Sequence, residues 1–224
     1  MKTIKRIIQA EYQTILSIIL LTFFSLTLLL IRIKLTNNYY YLFLIWNLFL
    51  AGLPYLISSY LATLKHIKSS TLITNSILWL LFLPNAPYIV TDLFHLKYSS
   101  HHLLWIDTLI IIMFAITGLL LFFKSVWTME IIFKTYVEKH IVAFSIPLLF
   151  ILVGFGVYLG RFLRFNSWEV LNKPWTILET IVFIVLNPNL NYTAWLFTIV
   201  FGLFLCVCYY AIKTNYVTNK KASL

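Results

Sequence analysis

Uncharged apolar runs of about 17 to 22 residues recur along this chain, a length that matches a hydrocarbon core about 30 Å thick. The runs do not alternate apolar with polar residues, so they read as helices and not as barrel strands. A water-facing fold fails on composition. Of 224 residues, 61% are hydrophobic and 11% charged, whereas a soluble domain carries roughly 25% charged residues. The expected fold is an all-α polytopic transmembrane bundle, one integral membrane domain over 1–224.

Six spans are expected, at 14–32, 40–62, 71–90, 103–123, 140–160 and 192–212. The third is short and broken by Pro84 and Pro87, which lack a backbone donor. The segment WTILETIVFIVL (175–186) is too short to cross comfortably and reads as an interfacial or re-entrant helix. The first run opens like a signal peptide, but Ile31-Arg32-Ile33-Lys34 follows it where a small-residue cleavage site would stand, so an uncleaved span is expected. These elements divide the chain into a first span with its flank (1–39), a core (40–212) and a basic tail (213–224).

The net charge of +10 comes from Lys and Arg scattered between apolar runs. That pattern fits topology signalling and anionic lipid headgroups, and not nucleic acid. Lys2, Lys5, Arg6, Lys65, Lys68, Lys124, Lys134, Lys139, Lys213, Lys220 and Lys221 gather on one side, so that side and both termini are expected to be cytoplasmic, in a cell membrane. Arg32, Lys34, Lys97, Arg161, Arg164 and Lys173 fall on the other. Cys206 and Cys208, two residues apart on one helix, point to different sides and read as free packing residues. Gly156 and Gly160 have the spacing of close helix packing. Two stretches echo each other: Trp46 and Trp79 each begin W-x-L-F-L-x-x-x-P-Y, which fits an inverted repeat of a transporter and equally a coincidence between Leu- and aromatic-rich spans.

Polar residues concentrate in LFLPNAPYIVTDLFHL (81–96), at Asp107, and in GRFLRFNSWE (160–169). Threaded through the expected topology, they reach one outer layer. Asp92 and His95, at i,i+3, suit an acid–base pair, although Asp92 could equally cap a short helix. Arg161 and Arg164, also i,i+3, would share a helix face and hold a phosphate or carboxylate, or pair with Asp92 or Asp107. Asp107, inside an apolar run, calls for a partner such as an outer Arg or His95. Asn166 and Glu169 have the spacing of a capping box, Trp168 reads as a member of the interfacial aromatic belt, and these residues and Asn85 are expected as supporting residues of the site. A metal site from Asp92, His95, His101, His102 and Asp107 lacks a recognised ligand spacing, so neither metal nor cofactor is expected.

The motifs PNAPY-x-x-TD-x-x-HL and G-R-F-x-R-x-NSW resemble domain-of-unknown-function family 1361, a group of bacterial integral membrane proteins, over about Tyr40 to Tyr210. The resemblance implies a multi-span inner-membrane protein and no particular reaction. Glu169 stands where the family pattern suggests Asp, and a carboxylate is kept. Three function classes fit these residues: a site for an anionic lipid or lipid-linked envelope precursor at the outer leaflet, an accessory or assembly subunit that partners another membrane protein without chemistry, and a small secondary transporter. Whether a reaction is catalysed stays open at this level.

Overall fold

The computed structural model describes residues 12–222. Six helical stretches are long and apolar enough to cross a membrane: Tyr12–Thr36, Tyr40–Ala62, Ser69–Tyr98, Leu104–Phe133, Lys139–Arg161 and Tyr192–Thr214. No strand occurs among the described residues. The all-α polytopic architecture is therefore as the apolar runs require. The basic flank at Lys2, Lys5 and Arg6 lies outside the described residues. The chain forms two compact units, Met1–Ile132 and Phe133–Leu224.

The first unit begins with α1 (Tyr12–Thr36), which buries only Ser25, Leu29 and Arg32, one narrow face at four- and three-residue spacing. A 3-10 turn, Tyr40–Leu42, leads into α2 (Phe43–Ala62), and α3 (Ser69–Phe82) follows. Leu83 N–H still reaches the Trp79 carbonyl at 2.9 Å, but Pro84 has no proton to give the next one. The chain tightens, with Ala86 N–H bonding to Leu83 O at 3.3 Å, and the Phe82 carbonyl is taken by the Asn85 side chain at 2.9 Å. After the turn Asn85–Tyr88 the path continues as ten residues of 3-10 helix, Ile89–Tyr98. The regular part of this span is short and proline-broken as expected, but its helical path extends beyond 90, to Tyr98.

α4 (Leu104–Phe133) is the central helix of this unit, with Ile110, Ile111, Phe114 and Phe122 fully buried. The proline turn docks against it at Gly118, where an added Cβ would lie 2.7 Å from the Ala86 carbonyl oxygen. Only a residue without a side chain admits backbone this close. Trp79 of α3 is buried and donates from Nε1 to Ser125 Oγ at 2.7 Å, whereas its counterpart in the sequence echo, Trp46, is exposed. The two copies also differ in path, because α2 runs unbroken past Pro54 while α3 ends before Pro84.

In the second unit, α5 (Lys139–Arg161) packs on α7 (Tyr192–Ala222). The close approach is at Gly154, whose added Cβ would meet the Thr198 carbonyl oxygen at 2.6 Å, and at Gly202, which faces Phe150 and Ile151. Gly156 and Gly160, the glycines with the packing spacing, are only half-buried. Cys206 and Cys208 are both free thiols on α7. Between these helices, α6 (Pro174–Leu186) has 13 residues, about 20 Å of helix, less than a hydrocarbon core.

Candidate functional site

Two rows of polar side chains occupy one end of the first unit, where the connections 36–40 and 98–104 lie. The first row is built on Asp107, in the opening turn of α4 and 0% exposed. Arg32, 6% exposed near the end of α1, donates from Nε to Asp107 Oδ1 at 3.0 Å and from Nη2 to Oδ2 at 3.5 Å. Its Nη1 is held by Thr36 Oγ1 at 2.9 Å and the Asn38 carbonyl at 3.3 Å. Ser99 Oγ donates to Asp107 Oδ2 at 2.6 Å. The guanidinium also lies over the buried Tyr41 ring, 5.0 Å from its centroid. The Tyr41 hydroxyl is near the same carboxylate without a hydrogen bond of ordinary geometry. A buried charge survives when it is paired and its remaining lone pairs are satisfied, and Asp107 meets both conditions.

The second row centres on His95. Its Nδ1 is 2.8 Å from the Tyr40 hydroxyl, and its Nε2 is 3.9 Å from Oδ1 of Asp92. Asp92 is 0% exposed and accepts from Asn47 Nδ2 at 2.9 Å through its other oxygen. The imidazole is packed by Phe43, 4.8 Å between ring centroids, and by Tyr98 at 6.4 Å. Exposure falls along this row from Tyr40, at 41%, through the His95 side chain, at 27%, to Asp92. The rows meet at Tyr40 and Tyr41, whose rings are 5.1 Å apart. Around them Lys34, Lys97, His101, His102, Tyr39, Tyr98 and Trp105 are exposed.

Asp92 stands in the first turn of the 3-10 segment and not ahead of a helix, so the capping reading of this residue is set aside. Asn85 serves the backbone of the proline turn through its Nδ2. In the second unit, α5 ends at Arg161, and Arg164 lies beyond it with φ 61°. The two arginines therefore do not share a helix face, which corrects the i,i+3 reading. The Phe165 N–H folds back on the Leu159 carbonyl at 3.1 Å and closes this turn. The capping-box bond is present: Asn166 N–H donates to Glu169 Oε2 at 2.8 Å, and Lys173 Nζ is 3.3 Å from Oε1. The Asn166 backbone bond, and then Lys173, hold the Glu169 carboxyl below its ordinary range. Trp168 is exposed, as an interfacial aromatic would be.

Sequence reasoning missed Arg32 as the specific partner of Asp107, because it was counted only as a topology charge. It also missed Asn47 and Tyr40. Asn47 carried a usable signal, since an amide inside an apolar run needs a partner across the bundle. Tyr40, one of three consecutive tyrosines, carried none. Among the described residues no group of three or more His, Cys, Asp or Glu could hold a metal ion.

A family model described as Protein of unknown function (DUF1361) matches residues 46–208. The window holds Asn47, Asp92, His95 and Asp107, and it leaves Arg32, Tyr40 and Tyr41 outside. No curated protein and no solved structure matches the chain.

Proposed function

The chain belongs to the DUF1361 family of proteins of unknown function, and from its site we propose that it binds the phosphate headgroup of an anionic lipid, or of a lipid-linked envelope precursor, at the outer leaflet of a cell membrane. The observation that carries this reading is His95, a half-exposed imidazole backed by the buried Asp92 carboxylate at a helix-bundle end rimmed with cations and aromatics. Tyr and Trp at such an end favour the headgroup layer. Lys34 and Lys97 supply the charge an anionic headgroup needs. Arg161 and Arg164 offer the same chemistry in the second unit, Arg being suited to phosphate. Glu169 caps the turn that follows them.

Retention of phosphatidylglycerol by the purified full-length protein, read by native mass spectrometry, tests this. Lys97→Gln and Arg161→Gln should each lower retention at unchanged yield and unchanged thermal stability. Retention equal to wild type in both variants would overturn the reading. An accessory role without chemistry is favoured by one observation, the buried Arg32–Asp107 pair, which locks α1 to α4. A deletion strain with unaltered envelope lipids, and a membrane complex that loses a subunit, would support that second reading.

A further inference from the structure

We propose that Tyr40, His95 and Asp92 form a nucleophile, a base and an orienting group, in which the Tyr40 hydroxyl attacks the phosphodiester of a bound anionic lipid. The inference rests on the headgroup reading for its substrate, while the activation of Tyr40 stands on geometry alone. An activated hydroxyl needs a base within hydrogen-bond reach and a third group that aims the base. Tyr40 and His95 Nδ1 satisfy the first condition at 2.8 Å. The opposite ring nitrogen faces Asp92 Oδ1 at 3.9 Å, longer than a hydrogen bond, a separation that catalytic contacts show before a ligand closes the site.

The supporting contacts are directional. Asn47 holds the far oxygen of Asp92, and the near one faces the imidazole. Phe43 packs on the ring and restricts its rotation. The reacting end of the row is the exposed end, and the carboxylate is the buried one, the order a surface substrate requires.

In the step itself the Tyr40 Oη–P bond forms and the P–O bond to the headgroup alcohol breaks. The phenolic proton passes to His95 Nδ1 and from there to the departing alkoxide. The product is a phosphatidyl-tyrosine ester plus the free alcohol, and no oxidant or co-reactant is consumed. Attack by water or a second alcohol on the same phosphorus, with His95 now taking that proton, returns the phenol.

Two arms test this. The first treats the full-length protein in detergent with N-acetylimidazole and follows O-acetylation of each tyrosine by peptide mass spectrometry. Tyr40 should react about 100-fold faster than the exposed Tyr39 and Tyr98, with a rate that rises through an imidazole ionisation. His95→Gln and Asp92→Asn should bring Tyr40 down to the rate of its neighbours. The buried Tyr41 and Tyr209, which should stay unreactive, report whether each variant is still folded, and the wild-type pH profile needs no variant. A Tyr40 rate equal to that of Tyr39 and Tyr98 would overturn the inference. The second arm incubates the protein with phosphatidylglycerol vesicles and looks for the phosphatidyl mass on the Tyr40 peptide, absent in Tyr40→Phe. Lipid retention without Tyr40 activation sinks the inference and leaves the headgroup reading standing. An activated Tyr40 with no lipid retained overturns the headgroup reading and the lipid substrate together.

Discussion

Arg32 and Asp107, 75 residues apart in sequence, are both buried and joined by two hydrogen bonds, with Nε 3.0 Å from Oδ1 and Nη2 3.5 Å from Oδ2. The pair fastens α1, which otherwise buries little, to the central helix of the first unit.

Breaking the pair from one side leaves a buried charge alone, which costs about 3–5 kcal/mol. Arg32→Met and Asp107→Leu should each lower thermal stability in detergent and reduce membrane abundance. The double variant should lose clearly less than the sum of the two, because neither charge is stranded. Additive losses in this cycle would mean that the two side chains do not act as a pair.

The glycine contact gives a sharper steric test. Gly118→Ala would place a methyl 2.7 Å from the Ala86 carbonyl oxygen, a backbone atom that cannot step aside as a side chain would. Overpacking of this kind costs about 1–3 kcal/mol. Gly52→Ala, with nothing within 4 Å, is the control. It should be neutral, or stabilising by about 0.5–1 kcal/mol through helix propensity. Equal behaviour of the two variants in thermal unfolding would refute the close docking of the proline turn.

The cap at Glu169 predicts a pH dependence confined to one loop. Its carboxyl is held below the ordinary value of 4.5, chiefly by the Asn166 N–H. A depressed folded pKa means the contribution is fully present above about that value and is lost as pH falls through the lower folded pKa. The amide proton shift of Asn166 should therefore titrate below pH 4.5, and Glu169→Gln should abolish that titration. An Asn166 amide that titrates in the variant would show that another group holds the turn.

How much of this could be read from the residues depends on the range of each interaction. The spans follow from run length alone, because hydrocarbon thickness sets one number that each run must meet. Pro84 and the Asn166–Glu169 spacing are likewise local, and both act where the sequence places them. The partner of Asp107 is not local. An intramembrane carboxylate announces that it needs a cation, but the sequence offers only an outer Arg or His95, and the helix packing selects Arg32. Tyr40 illustrates the opposite limit: its hydroxyl matters only because the 3-10 segment Ile89–Tyr98 turns His95 toward it. The shared face of Arg161 and Arg164 was lost for a backbone reason, since the helix stops before the second arginine.

That stop supplies the remaining prediction. Arg164 adopts φ 61°, the left-handed region in which a side chain costs about 1 kcal/mol and glycine costs little. A non-glycine residue kept there despite the strain points to use of its charge. A three-way series separates backbone from charge. Arg164→Gly should raise thermal stability by about 1 kcal/mol by relieving the strain, whereas Arg164→Ala keeps the strain and should leave stability near wild type. Both remove the cation, so both should retain less phosphatidylglycerol if Arg164 meets a headgroup. Retention unchanged in both variants, with only the glycine more stable, would make Arg164 a helix terminator and remove it from the binding surface.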